Sequence, residues 1–321
     1  MARKRKGLPL SGWIALDKPL GMSSAQAVAA VRRITGAAKV GHGGTLDPLA
    51  TGVLPIALGE ATKTVAYVMD GAKTYLWTLA FGESRTTDDR EGTVIETSAS
   101  RPSDDAIRAA LAGFTGEITQ IPPIFSAIKV AGERAYDLAR AGEIPELKPR
   151  TVRVDRFTLV ERPDADHAVF EVACGKGTYI RSLARDLARA LGTVGHVASL
   201  RRTACGPFHE RAAISVDKLQ ELGHIPGPRT YLLPVETALD DIPALALTDV
   251  EARRLQSGCP VSLLRVASRG PLPDIASGQT VRAMEGGRMV ALVRIEAGEI
   301  RPVRVMNLSN DDKESVDVDH A

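Results

Sequence analysis

The sequence predicts an α+β fold with one large domain and a smaller, β-rich C-terminal domain. At 321 residues the chain is longer than one ordinary compact domain. Segments with strand and helix patterns are mixed along the chain, without the regular alternation that predicts parallel βαβ units. Hydrophobic residues at 44% and charged residues at 25% are ordinary for globular proteins, so most of the chain should fold around sizeable cores.

The first predicted elements are a strand, a helix and a Gly-rich loop. Residues 12–16 predict a short strand that ends at the Asp-Lys-Pro sequence. Ser23 is a suitable N-cap for a helix whose apolar residues recur at helical spacing until Gly36. Residues 39–52 are rich in Gly, Thr, Asp and Pro, which predicts an irregular loop before the apolar run VLPIAL. Loops between rigid elements often carry catalytic residues.

The middle of the chain predicts three strands and two helices. Strand patterns occupy residues 74–81, 151–160 and 167–175. Residues 103–114 begin with a serine that can act as an N-cap, and residues 179–192 place three leucines on one face, so both segments predict helices.

The segment between PPIFSA and Lys148 contains Gly132, Gly142 and Pro145. These residues disfavour regular structure, so the segment is predicted to be a mobile excursion. It could close over a ligand.

Composition divides the chain into five parts. They are a basic flexible arm at 1–10, a large domain at 11–222, a linker at 223–236, a small domain at 237–307 and an acidic disordered tail at 308–321. The linker is rich in Pro and Gly, and the small domain combines the helix TDVEARRLQSG with short strands punctuated by glycines.

Charge is distributed unevenly between the two ends. Residues 310–321 carry five acids and one Lys, so the net charge of +2 would be +6 without them. Four of the positive charges, on Arg3, Lys4, Arg5 and Lys6, form an arm that could lie along phosphates or be an ordinary solvated terminus.

Several classes of protein are excluded by composition and spacing. No run approaches the roughly 20 apolar residues of a membrane-spanning helix, and residues 1–13 lack the apolar stretch of a signal peptide, so a cytoplasmic protein is expected. Cys174, Cys205 and Cys259 fit neither a disulfide framework nor a zinc site. The six histidines show no ligand-like spacing, so no metal is expected, and neither a phosphate-binding loop nor a GxSxG motif occurs.

The segment GHGGTLDPLATG, residues 41–52, presents one carboxylate on a stiff turn. Its glycines let the backbone approach a ligand, and Pro48 restricts the chain after Asp47. An Asp before a Pro is more often a turn residue than a catalyst. Local chemistry alone therefore leaves both interpretations of Asp47 open.

A second acidic group, Asp88, Asp89 and Glu91, could suggest a pair of acid/base carboxylates. The sequence TTDDREG is more typical of a polar hairpin turn, which is the structure we expect.

The segment at residues 41–52 resembles the signature of the TruB family of tRNA pseudouridine synthases, and five further motifs match those of the family in order. They are DKPLGMSS (17–24), KTY (73–75), PPIFSAIKV (122–130), GTYIRSLARDL (177–187) and LRRT (200–203). The resemblance spans about residues 12–220, and ordered motifs are far more specific than a single pattern. It implies a catalytic domain with a mixed, mainly antiparallel sheet and flanking helices, and more weakly a small PUA-like RNA-binding domain at the C-terminus.

The resemblance implies that the chain isomerises uridine 55 in the TΨC loop of tRNA to pseudouridine, without a cofactor or a metal. The implied catalytic residue is Asp47, which could attack C1′ or uracil C6 or remove a proton from the sugar. An ionised carboxylate in a site closed to water needs a cationic partner. The matching family position is Arg181, for which an ordinary surface arginine is the alternative.

The family positions that contact the flipped-out nucleotide or take its place are His42, Tyr75 and Tyr179. Leu200 matches a position that lines the base pocket, although a buried core leucine is the alternative. Lys18 and Lys129 are secondary candidates for phosphate contacts.

One position departs from the family, which usually has His-Thr-Gly where this chain has His42, Gly43 and Gly44. The histidine and the aspartate are kept, so the departure concerns the rigidity of the loop.

The expected partner is the TΨC arm of tRNA, with no guide RNA, protein partner or membrane, and the chain is expected to be a monomer because nothing marks an interface. Two alternatives remain at this stage. One is the guide-RNA-dependent branch of the same fold, which needs partner proteins. The other is a tRNA-binding chaperone, a role that could coexist with catalysis because base flipping disrupts the contacts of the loop.

Overall fold

The computed structural model describes residues 7–126, 129–130, 133–134, 146–223, 230–270, 275–276 and 278–308. The helices are α1 (Ser24–Thr35), α2 (Val65–Asp70), α3 (Asp104–Leu111), α4 (Ile180–Ala190), α5 (Val216–Gly223), α6 (Asp249–Gln256) and α7 (Leu263–Ala267). The strands are β1 (Gly12–Lys18), β2 (Val40–His42), β3 (Ala50–Leu58), β4 (Lys73–Phe81), β5 (Glu83–Arg85), β6 (Val94–Thr97), β7 (Gly116–Gln120), β8 (Lys129–Val130), β9 (Glu133–Arg134), β10 (Arg150–Glu161), β11 (His167–Cys174), β12 (Gly195–Cys205), β13 (Phe208–His209), β14 (Ile214–Ser215), β15 (Ala244–Ala246), β16 (Val261–Ser262), β17 (Thr280–Glu285), β18 (Arg288–Glu296) and β19 (Glu299–Val305).

A ten-stranded sheet forms the large domain. Its main path runs β14-β1-β3-β12-β4-β11-β10-β7, with β2 added beside β3 and β13 beside β12. Only the β1–β14 and β3–β12 pairs are parallel. The predicted mixed, mainly antiparallel sheet with flanking helices is therefore confirmed.

A separate five-stranded sheet forms the small C-terminal domain, in the order β15-β17-β18-β19-β16. Its pairs are antiparallel except β15–β17. The expectation of a small β-rich second domain is thus confirmed.

The predicted helix ends agree with local chemistry. Ser23 caps α1 in a capping box with Gln26, and Gly36 ends the helix in the left-handed conformation at φ 66°. Ser103 caps α3 by accepting a hydrogen bond from the backbone N–H of Ala106. The N-caps of both helices and the end of α1 could therefore be predicted from the sequence.

The prediction of an irregular loop over residues 39–52 is wrong at both ends. Residues 40–42 form β2, which pairs antiparallel with β3, and β3 itself begins at Ala50. Pairing with a strongly apolar strand overrides the turn-forming composition of these residues. The irregular part is confined to residues 43–49.

Three apolar clusters hold the large sheet and its helices together. On one side, Trp77 stacks on Phe170 at 5.0 Å between ring centroids, and Leu183 of α4 packs against the same cluster. A second cluster packs Val31 of α1 against Leu54 of β3. Both helices are thus anchored on the central strands, which is the basis for a rigid site.

The third cluster joins the two domains. Met289 and Leu292 of the small sheet are buried with Trp13 of β1. Lys63 adds a hydrogen bond of 2.8 Å to the Val305 carbonyl, and Glu60 accepts one of 2.7 Å from the Asn307 backbone N–H.

Within the described residues, no helix is long and apolar enough to cross a bilayer.

Several predictions fall where the structure describes few residues. The basic positions 3–6, the residues Gly132, Gly142 and Pro145, and positions 309–321 of the acidic tail lie outside the described residues, as does the stretch 224–229 of the predicted linker.

Candidate active site

The register between β4 and β12 assembles one wall of the candidate site. Tyr75 lies directly opposite Arg202 in this antiparallel pair. Because side chains alternate along a strand, Lys73 shares a face with Tyr75, and Leu200 shares the same face with Arg202. A register shift follows Arg202, and such irregularities often occur beside active sites.

Residues 43–49 place Asp47 beside this wall. Hydrogen bonds to their backbone hold them in position. The Gly43 N–H donates to the Pro55 carbonyl at 2.8 Å. The hydroxyl of Ser24, the first residue of α1, donates to the Leu46 carbonyl at 3.0 Å and accepts from the Leu46 N–H at 2.9 Å. One helix end and one strand therefore fix the backbone next to the carboxylate.

Close approaches require two glycines, Gly43 in the loop and Gly52 in β3. A Cβ at Gly52, where φ is +95°, would lie 2.3 Å from the Arg202 carbonyl oxygen. A Cβ at Gly43 would lie 2.8 Å from Cγ1 of Val68. The departure at Gly43 from the family pattern therefore matches the packing of α2 against the loop in this chain.

The predicted partner of Asp47 lies beside it. Nη2 of Arg181, in the first turn of α4, is 2.8 Å from Oδ2 of Asp47. The arginine side chain is 6% exposed and that of Asp47 is 40% exposed. The charge of the guanidinium is thus held in the interior while the carboxylate remains reachable from the cavity.

Arg181 also contacts two other segments. It donates to the Thr87 carbonyl at 3.1 Å and to the Phe125 carbonyl at 2.9 Å. Its Nη1 lies 3.8 Å from Oδ2 of Asp89, whose side chain is 4% exposed. The surface-arginine alternative is wrong, because this side chain is buried among two acids and two carbonyls.

Asp88 and Asp89 lie in the turn of the β5–β6 hairpin, as the sequence indicated, but their burial was missed. Asp88 has φ +58° and pairs with Arg185 at 3.0 Å. Burial raises the pKa of Asp88, and the Arg185 guanidinium opposes that effect. Asp89 faces Arg181 and Asp88 faces Arg185, and these two arginines are four residues apart on α4. That i, i+4 spacing was the signal in the sequence that both arginines lie on one side of the helix.

The candidate site is a cavity of about 290 Å³. Among its lining residues are Asp47, Tyr75, Tyr179, Arg181 and Leu200, five of the positions singled out from the sequence. Leu200 is half-buried, so it borders the cavity as well as the core.

The two tyrosines of the cavity are held differently. Gln120 exchanges two hydrogen bonds, of 3.1 and 3.2 Å, with the backbone of Tyr179, and the Arg150 guanidinium lies 4.8 Å from the centre of its ring. Burial raises the pKa of Tyr75 to about 12, against the opposing effect of the neighbouring Arg202. Tyr75 also packs against two of the apolar clusters, so neighbouring groups restrict both rings, and each offers an aromatic face against which a base can pack.

His42 lies at the start of the loop, at the end of β2. Its Nδ1 accepts a hydrogen bond of 3.3 Å from the Gly44 N–H, which requires that nitrogen to be unprotonated. Burial lowers the pKa of His42, and the charge of Arg202 acts in the same direction. As far as the described residues define the lining, His42 does not border the cavity.

The structure does not support a phosphate contact by Lys18. This side chain is fully buried, and its ammonium group donates to the carbonyls of Pro19 and Met22 at 2.9 and 2.7 Å. Burial lowers the pKa of Lys18 to about 8, although Asp47 raises it. The side chain of Lys129, the other secondary candidate, lies outside the described residues.

Two cations that border the cavity were missed. Lys73 and Arg202 are 7% and 1% exposed. Arg202 donates to the carbonyls of Val53 at 2.8 Å and Gly44 at 3.1 Å, so it holds the loop that carries Asp47 against β12. Both occur in family motifs, but the sequence alone does not reveal which basic residues are buried.

Sequence profiles of known families match most of the large domain. The profile of the TruB family pseudouridylate synthase N-terminal domain matches residues 32–180, and that of the tRNA pseudouridylate synthase B C-terminal domain matches residues 181–240. The five-stranded sheet at residues 244–305 follows both matches.

Curated relatives match nearly the whole chain. It is 59% identical over 308 residues to tRNA pseudouridine synthase B of Rhodospirillum rubrum, with 96% of this chain and 100% of that protein covered. It is 54% identical over 310 residues to tRNA pseudouridine synthase B of Caulobacter vibrioides, with the same coverage of 96% and 100%.

Solved structures share the fold. A Cbf5–Nop10–Gar1 complex contains a chain that is 28% identical, with a TM-score of 0.70 over 92% of this chain and 84% of that one. An archaeal box H/ACA Nop10–Cbf5 complex contains one that is 27% identical, with a TM-score of 0.69 over 95% and 92%. On the two profiles and the curated relatives together, the chain is an isomerase that belongs to the TruB family of pseudouridylate synthases.

Proposed function

We propose that this enzyme, which forms pseudouridine in tRNA, does so at uridine 55 of the TΨC loop, with Asp47 as the catalytic carboxylate. Its curated relatives are tRNA pseudouridine synthases B. The observation that carries the proposal is the 2.8 Å contact between Asp47 and the buried Arg181 at the edge of a cavity bordered by Tyr75, Tyr179 and Leu200. This cavity therefore brings together a charged carboxylate and apolar faces against which a base can pack.

The chemistry of the reaction fits these groups. Pseudouridine forms when the bond from N1 to C1′ breaks, the uracil turns, and C5 joins C1′. The carboxylate of Asp47 can attack C1′ or C6, or take a proton from the sugar, and Arg181 compensates its charge in the absence of bulk water. A uridine must leave its stack to arrive there, which costs a few kcal/mol. Packing of the base between Tyr75 and Tyr179 offsets that cost by about 1–3 kcal/mol for each stacked face.

Unmodified tRNA transcripts test the proposed position of the modified uridine. The purified chain, without guide RNA or added protein, should convert uridine 55 of an unmodified transcript to pseudouridine, as mapped by chemical labelling and primer extension. A transcript with cytidine at position 55 is the matched control and should stay unmodified throughout. If a folded, bound tRNA keeps its uridine at position 55, the proposed position is wrong.

The same experiment separates the guide-dependent alternative. The structural relatives include chains in complexes with Nop10 and Gar1. We propose that this chain needs neither a guide RNA nor such partners and acts as a monomer in the cytoplasm. Activity that appears only after a guide RNA is added would contradict this part of the proposal.

A role in tRNA folding can accompany catalysis, because base flipping opens contacts of the TΨC loop. We propose that the small β-rich domain, as a PUA-like module, contributes to RNA binding. Folding of a misfolded tRNA should be accelerated equally by the wild-type chain and by Asp47→Ala if the two roles are separate. Acceleration by neither protein would exclude the folding role.

A further inference from the structure

Two cations besides Arg181 border the candidate cavity. Lys73 and Arg202, here called the cationic pair, border it together with Asp47 and Arg181. Within the described residues, no carboxylate lies within 4.0 Å of the nitrogens of either member of the pair. Arg181, in contrast, has Asp47 at 2.8 Å and Asp89 at 3.8 Å.

Both members of the pair are tied to backbone carbonyls. The ammonium group of Lys73 has three donors, and it contacts the carbonyls of Val68, Met69 and Gly71 at the end of α2. Arg202 contacts the carbonyls of Val53, Gly44 and Thr45 at 2.8, 3.1 and 3.5 Å. Carbonyl dipoles compensate these cations only in part, and burying an unpaired charge is costly.

The positive charge of Arg202 affects the pKa values of the groups around it. It acts to lower the pKa values of Lys18, His42 and Lys73, each of which is lowered first by burial. It also opposes the burial that raises the pKa of Tyr75. A positive potential is therefore felt across the cavity wall formed by β4 and β12.

The depth of the pair indicates which part of an RNA ligand it would meet. Lys73 and Arg202 are 7% and 1% exposed, whereas the side chain of Asp47 is 40% exposed. A flipped nucleotide enters base first, because its phosphates remain joined to the strand outside. The base and not a phosphate is thus the group that approaches the pair.

The reaction places negative charge on that base. When the N1–C1′ bond breaks, its electron pair leaves with the uracil, which becomes an anion with charge shared between N1 and the two carbonyl oxygens. The ring then turns, C5 donates an electron pair to C1′, and the proton lost from C5 is balanced by one gained at N1. Fixed positive charge beside the detached ring lowers the energy of this anion in a site shielded from water.

We propose that Lys73 and Arg202 stabilise the uracil anion between its detachment from C1′ and its reattachment through C5. Arg202 borders the cavity beside Tyr75, its partner across the β4–β12 pair, whereas Lys73, whose three donors already contact carbonyls, acts through its charge. This inference rests on the proposed entry of the target uridine into the cavity.

Leaving-group substitution tests the inference. Single-turnover rates of formation of the C5–C1′ bond, at saturating enzyme, are compared for tRNA transcripts made with uridine or with 5-fluorouridine, whose C5 carries fluorine and loses no proton after that bond forms. Fluorine withdraws electrons and makes the detached ring a weaker base, so it needs less stabilisation. For Arg202→Met and Lys73→Met, the rate on uridine should fall about 100-fold, and the loss on 5-fluorouridine should be smaller by about tenfold or more.

Matched variants separate charge from structure. Arg202→Lys and Lys73→Arg keep the charge and should keep the wild-type ratio of the two rates even if both rates fall. Lys63→Met removes a lysine that contacts a carbonyl at the domain boundary, away from the cavity, and should leave the ratio unchanged. Melting curves identify any Met variant that does not fold. The two rates are then compared for the Met variant of the other residue of the pair.

An equal loss on both substrates for the folded Met variants would show that the pair only supports the fold, and the inference would be wrong. A loss that is present below saturation but absent at saturating enzyme would assign the pair to binding of the RNA and would also overturn the inference. If the wild-type chain leaves uridine 55 unchanged, the proposed function fails first, so the two failures are distinguishable.

Discussion

At the scale of single residues, Arg181 connects three separate parts of the chain. It contacts Asp47 of the loop, Thr87 of the β5–β6 hairpin and the carbonyl of Phe125. The planar guanidinium offers donors in fixed directions, which a lysine cannot reproduce. The position of the Asp47 carboxylate therefore depends on two segments that are remote in sequence.

Asp47→Ala should abolish turnover, and so should the isosteric Asp47→Asn, because neither side chain supplies the anionic oxygen that the reaction needs. The loss in kcat is expected to be at least about 10³-fold, while affinity for tRNA stays close to that of the wild type. Single-turnover assays and filter binding measure the two quantities. Asp105→Asn, at a fully exposed position on α3, is the matched control. Wild-type rates in Asp47→Asn would contradict the role of the carboxylate.

Lys18 should make stability depend on pH above neutrality. Its pKa is about 8 in the folded chain and 10.5 as a free side chain, so the unfolded chain binds more protons between these values. Stability of the wild type relative to Lys18→Met should therefore rise from pH 8 to pH 10.5, by on the order of 2 kcal/mol, and be level below pH 8. Denaturant unfolding of both proteins at several pH values measures the difference. A difference that falls with pH would show that the burial of a charged lysine is not unfavourable.

At the scale of elements, the packing of α2 against the loop that carries Asp47 explains Gly43. A Cβ at this position meets Cγ1 of Val68 at 2.8 Å, and Val68 is 1% exposed on α2. The space that a threonine side chain would need is occupied by that valine. The residue at position 43 and the residue at position 68 are therefore coupled.

Gly43→Thr should destabilise the protein by about 1–3 kcal/mol, because the added side chain overpacks a closed site. Val68→Ala alone should also destabilise it, by about 2 kcal/mol, through the lost packing. In the double variant the two costs should not add, because the smaller residue makes room for the larger one. Chemical denaturation of the four proteins gives the coupling. Strict additivity would mean that the contact with Val68 does not decide the residue at position 43.

At the scale of the whole molecule, the two domains share one apolar cluster and several hydrogen bonds. Trp13 of the large domain is buried with Leu292 of the small one, and Lys63 contacts the Val305 carbonyl. The small β-rich domain is therefore held against β1. Any RNA contact that it makes has a defined position relative to the candidate cavity.

Binding of tRNA should weaken steeply as salt increases, because an RNA ligand held along both domains requires several phosphate contacts. A log–log plot of affinity against salt concentration should have a slope of several units. Asp47→Ala should give the same slope, since it removes no phosphate contact. A flat response would contradict RNA binding as the function of the surface around the cavity.

The sequence was informative wherever a local rule decides the structure. Ser23 and Gly36 mark the ends of α1 because capping depends on a few neighbouring residues. The alternating apolar residues of β10 and β11 likewise decide which face is buried. Composition could not show that residues 40–42 form a strand, since their pairing partner lies on β3.

By itself, the sequence determined the α+β class, the two domains and, through its ordered motifs, the family and the loop that carries Asp47. The tertiary structure decided which charges meet: it buries Asp89 beside Arg181, withdraws Lys18 from solvent and places Lys73 and Arg202 on the cavity wall. The reason is physical. Local propensity acts over a few residues, whereas burial and charge pairing depend on strand register and helix packing between segments far apart in the chain.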